Sequence, residues 1–141
     1  MSLHTPPINP KINKRNIVSP ANEKKMLALR DFNGLDVDAG LKTIANMVPA
    51  YLRVLGLLIK TVTNDEKEFD KLLENDIVQF RVKVHGYKSA LANVGFIELS
   101  ANAKELEFAA RAEDRDLIKS KLPAFKSAIN EVAEKLKEIL N

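Results

Sequence analysis

Apolar residues recur along this chain in steps of three and four, and no stretch alternates in steps of two. The cleanest case is the C-terminal run Ile118, Leu122, Phe125, Ile129, Val132, Leu136, Ile139, which has the spacing of a bundle seam. Pro123 falls inside it and predicts a kink or a helix restart. A second stripe, Val48, Tyr51, Leu55, Leu58, Val62, begins beside Pro49 and is resumed by Phe69, Leu72 and Leu73, as in one long helix. Asn75-Asp76 reads as a turn or cap. The next helix spans about 77–93 and closes at Gly95, and another spans about 96–111 with Leu99, Ala103, Leu106 and Ala110 on one side.

Shorter helices fit the stretch after Ser19-Pro20 and the segment from Val37. Four long amphipathic segments joined by short loops predict an all-α fold. The expected form is an antiparallel up-down four-helix bundle with short extra N-terminal helices. Residues 34–141 form the expected bundle. Residues 1–33 read as a linker or tail with one short helix, because the first 20 residues hold four prolines and no periodicity. Such a tail suggests a module cut from a longer polypeptide.

Composition changes this picture little. The chain has 141 residues, enough for one core, and no cysteine, which excludes disulfides and thiolate metal sites and fits a reducing cytoplasm. The formal charge of +3 belongs to the tail: residues 1–31 carry six Lys/Arg against two Asp/Glu, the remainder 16 against 17. The folded part therefore has no basic face, which argues against nucleic acid. No apolar run is long enough to span a bilayer, so no membrane contact is expected. Two histidines, one of them in the tail, make a metal site improbable, and "DVDAG" (36–40) lacks the glycine and glutamate positions of a calcium loop. The carboxylates of "NDEKEFDKLLEND" (64–76) are spaced like a solvated helix face.

The remaining chemistry sits in "VHGYKSALANVG", residues 84–95. The stripe Ile77, Phe80, Val84, Tyr87, Leu91, Val94 sets the core direction of this helix, and His85 lies about 130° away from it, facing solvent. Its neighbours at helical spacing are Val78, Arg81, Val82, Lys88, Ser89 and Ala92, with no carboxylate on the same helix face to pair with it. An interior Gly86 costs about 1 kcal/mol relative to alanine, so a partner approaching closely is one compensation. A neutral imidazole is a ready nucleophile, and a lysine one turn on can hold phosphoryl oxygens. The two valines supply apolar contact, and Gly86, Ser89 and Ala92 keep the approach open.

These residues resemble the histidine-containing phosphotransfer (HPt) domain of two-component phosphorelays. Its motif is broadly His-x-hydrophobic-Lys-Gly-small-small with a glycine ten residues after the histidine, matched here by His85, Tyr87, Lys88, Ser89, Ala90 and Gly95. A following helix carries Leu106-Glu107, and "GLDVDAGL" (34–41) resembles the family's lead-in to the first bundle helix. The likeness covers about residues 34–140; the departure is Ser89, where the family usually has glycine.

The resemblance implies a carrier without an ATP site. It accepts a phosphoryl group on His85 from a receiver-domain aspartate and passes it to another receiver, with Lys88 stabilising the phosphate and Glu107 joining the docking face. The implied partners are response-regulator receiver domains and a hybrid sensor kinase, in the cytoplasm. No cofactor is expected on this chain; Mg²⁺ would come with the receiver. The competing reading is an adaptor bundle in which His85 is never phosphorylated.

Overall fold

The computed structural model describes residues 18–141; the stretch 1–17 of the expected tail lies outside the described residues. These residues form seven α-helices: α1 (Pro20–Arg30), α2 (Val37–Lys42), α3 (Val48–Asp65), α4 (Glu68–Asn75), α5 (Ile77–Val94), α6 (Ile97–Arg111) and α7 (Arg115–Leu140). No strand occurs among the described residues. Four of the helix starts carry side-chain caps, at Ser19 as the sequence suggests and at three aspartates. The Ser19, Asp36, Asp76 and Asp114 side chains each accept from a backbone N–H one turn on, at 3.0–3.2 Å.

α5 lies most extensively on α6, α7 packs on both α3 and α6, and α3 also touches α5. The predicted stripes are the faces that meet: Phe80, Val84, Tyr87, Leu91 and Val94 of α5 and Ile118, Leu122, Phe125, Ile129 and Leu136 of α7 are buried in one core. α1, within the stretch read as tail, adds Met26 and Leu29 to that core and packs on α7.

Two local expectations differ from the structure. The helix expected to run from Pro49 through Leu73 is broken at Glu66-Lys67. The break lets α3 pack mainly on α7 while α4 turns onto α5. There Phe69 joins Phe80, Tyr87 and Phe125 in a cluster of edge-on and tilted rings with centroids 5.3–6.3 Å apart. α7, by contrast, does not restart at Pro123. That residue is exposed, so the Lys119 carbonyl it leaves without a helical donor can be served by water.

The C-terminal end of α5 fixes the arrangement around it. Gly95 takes φ 107°, and the Phe96 and Gly95 N–H groups turn back to the Leu91 and Ala92 carbonyls in a Schellman arrangement. The chain reverses there directly into α6. A helix end leaves its last carbonyls unpaired, and here the N-terminal elements supply the donors. The Thr43 hydroxyl donates to the Asn93 carbonyl (2.8 Å), the Tyr51 hydroxyl to Val94 (2.8 Å), and the Asp36 N–H to Gly95 (2.9 Å). Burial pushes the Tyr51 hydroxyl's pKa up, so it stays a donor.

Two glycines of the α5 region should therefore respond in opposite directions. A Cβ at Gly95 would collide with the Asp36 carbonyl in addition to straining φ, whereas a Cβ at Gly86 would meet nothing within 4 Å among the described residues. Gly95→Ala is expected to destabilise the protein by about 2 kcal/mol or more in urea unfolding. Gly86→Ala should leave it equally stable or raise stability by up to about 1 kcal/mol.

Candidate functional site

Helix period alone turns His85 outward, and the structure agrees: its side chain is 56% exposed. The Gly95 reversal sets α6 antiparallel beside α5, and this brings Glu107 opposite His85. The carboxylate that the face of α5 lacks is thus supplied by the next helix. His85 Nδ1 lies 2.5 Å from Glu107 Oε2, and Lys88 Nζ donates to Oε1 at 2.7 Å. Arg111, one turn further along α6, stands 3.7 Å from Oε2. Beneath them the Ser100 hydroxyl of α6 donates to the Lys88 carbonyl at 2.7 Å, pinning the two helices together.

Glu107 is not part of an accessible docking face, as the motif suggested; its side chain is only 3% exposed. A buried carboxylate is tolerable because both oxygens are paired, and among the described residues no buried side-chain N or O lacks a partner. Burial opposes its ionisation, but the Lys88 and His85 hydrogen bonds and charges outweigh that penalty and hold the carboxyl below the usual carboxylate range. An ionised carboxylate can only accept, so His85 Nδ1 carries the proton. In the neutral imidazole, Nε2 is then the ring nitrogen with a free lone pair.

The other predicted residues divide by exposure. Val78 (55%) and Val82 (53%) lie open on α5, and Gly86 and Ser89 are exposed beside His85. Arg81 and Ala92 are half-buried, and Lys88 is drawn partly inward by Glu107. Periodicity within α5 missed Leu57 of α3, which is 57% exposed. Leu57 lines an α3–α5 groove of about 370 Å³ with Val54, Leu58, Thr61, Val82 and Gly86.

The same groove exposes a correction to the reading of 64–76 as solvated carboxylates. Asp65 is largely buried, accepting from Lys83 Nζ (3.0 Å) and from the Tyr87 hydroxyl (2.9 Å). Burial, reinforced by the Asp65 hydrogen bond and charge, raises the Tyr87 pKa and keeps that hydroxyl protonated. The cross-helix partners Glu107 and Asp65 carry no local signal of this role, because each acts on a residue about 20 positions away.

No cluster of three or more His, Cys, Asp or Glu able to hold a metal ion occurs among the described residues. No helix there is long and apolar enough to cross a membrane. Comparison with family models, curated proteins and solved structures gave no match.

The lowered pKa gives Glu107 a pH signature. Its folded value lies below the unfolded value of about 4.3, so the unfolded chain binds more protons in acid. Its stabilising contribution is complete above about pH 5 and is lost as the pH falls through the lowered folded value. Glu107→Gln is expected to cost about 2 kcal/mol at pH 7, with the gap to wild type narrowing below about pH 4. Urea unfolding at a series of pH values measures this; a gap independent of pH would contradict it.

Proposed function

We propose that this chain is a phosphohistidine carrier of the HPt kind, in which α3, α5, α6 and α7 act as a four-helix bundle presenting His85 to receiver domains. The observation that carries the reading is the exposed imidazole whose Nδ1 is held by a buried, ionised Glu107. That hydrogen bond fixes the tautomer and leaves the Nε2 lone pair facing outward. In the proposed step this lone pair attacks the phosphorus of a receiver's aspartyl phosphate. The P–Nε2 bond forms as the P–O bond breaks and the aspartate carboxylate leaves. No proton has to move: Nδ1 keeps its hydrogen, and Glu107 balances the positive charge that develops on the ring.

Lys88 shares the same carboxylate and brings an ammonium to the site for the phosphoryl oxygens. The exposed apolar residues Val78, Val82 and Leu57, next to Gly86 with open space above it, suit a transient docking face. Among the described residues nothing requires a glycine at 86, which supports an intermolecular reason for it. The Mg²⁺ and most of the catalytic groups would belong to the receiver. A hybrid sensor kinase upstream and a cytoplasmic location complete the proposal.

Incubation with a phosphorylated receiver domain tests it. Wild type should acquire acid-labile, alkali-stable label, and His85→Gln should acquire none. No label on wild type with any receiver tried would favour the adaptor reading instead. Lys88→Ala should slow transfer by roughly tenfold while helicity by circular dichroism stays unchanged. Gly86→Ala should slow transfer without loss of stability.

A further inference from the structure

The site at rest carries more positive charge than its visible interactions use. Leaving the imidazole itself out of the count, Arg81 and Lys88 of α5 and Arg111 of α6 outnumber the Glu107 carboxylate by two charges. Lys88 and His85 already occupy the Glu107 carboxylate at 2.7 and 2.5 Å. Arg111 is left at 3.7 Å, beyond hydrogen-bonding range, with a side chain 56% exposed. At that distance the pair is loose, and the guanidinium fork keeps its donors free.

The helix pairing places this arginine. α5 and α6 run antiparallel from the Gly95 reversal, with His85 against Glu107, so the level one turn away pairs residue 81 with residue 111. Helical side chains lean toward the N-terminus of their own helix, which directs Arg111 back over Glu107 toward His85. Its contact oxygen, Oε2, is the one bonded to the imidazole. Arg81 sits one turn from His85 on α5, half-buried, and makes no ion pair among the described residues.

We propose that Arg111, supported by Arg81 across the α5–α6 seam, is the clamp for the phosphoryl group on His85 Nε2. Arg111 leaves Glu107 and takes the phosphoryl oxygens with paired N–H donors. The two surplus charges then match a dianionic phosphoryl group, adding to the Lys88 ammonium. This rests on the carrier reading for its biological use, but the chemistry can be tested without any receiver.

Phosphoramidate phosphorylates accessible imidazoles directly: P–Nε2 forms as the P–N bond to departing ammonia breaks. In a His4→Gln background, ³¹P NMR then follows one phosphohistidine through a pH titration. Nearby cations favour the dianion, so Arg111→Gln should raise the phosphoryl group's own pKa by about 0.5–1 unit, with Arg81→Gln smaller and the double variant larger. Arg111→Lys should fall between wild type and Arg111→Gln, since an ammonium keeps the charge without the fork. Unchanged circular dichroism establishes that the variants are folded. The same phosphoryl pKa in wild type, Arg111→Gln and the double variant would overturn the clamp while leaving the carrier reading intact. Failure of the receiver experiment, with the shifts present, would do the reverse.

Discussion

The reversal at Gly95 is the constraint on which the rest depends. A left-handed residue there ends α5, turns the chain into α6 and fixes which residues of the two helices stand opposite. The position is enforced from outside as well, since the backbone around Asp36 closes over it. α2 and α3 then supply donors for the last carbonyls of α5, which ties the N-terminal helices to the same corner. A slip of one residue in this turn would rotate Glu107 away from His85 and leave its carboxylate buried without a partner.

That buried carboxylate is the second organising element. A lone ionised glutamate inside a helical core would be strongly unfavourable, and here three cationic or hydrogen-bonding groups converge on it. The result is an imidazole oriented from below and open above. Tyr87, two residues on and on the opposite face of α5 from His85, roots the helix in the aromatic cluster and reaches Asp65 of α3, so the helix that carries the histidine is held on two sides. Rigidity beneath and openness above are what the proposed carrier role asks of His85.

The sequence by itself determined the helices, the core stripes and the outward direction of His85, because helical period acts within a few residues and needs no knowledge of neighbours. The Gly95 ending was legible for the same reason. The break at Glu66-Lys67 was not, since Phe69, Leu72 and Leu73 continue the apolar stripe and only packing against α5 turns α4 aside. Pro123 shows the converse: of the kink or restart that the local rule predicted, the restart does not occur, and the helix runs on through an exposed position. Only the tertiary structure decided what surrounds the histidine. Glu107, Arg111, Leu57 and the Asp65–Tyr87 bond all reach it or its helix across a helix–helix interface. Which side chains meet there is set by register and crossing, quantities that no single stretch of sequence contains.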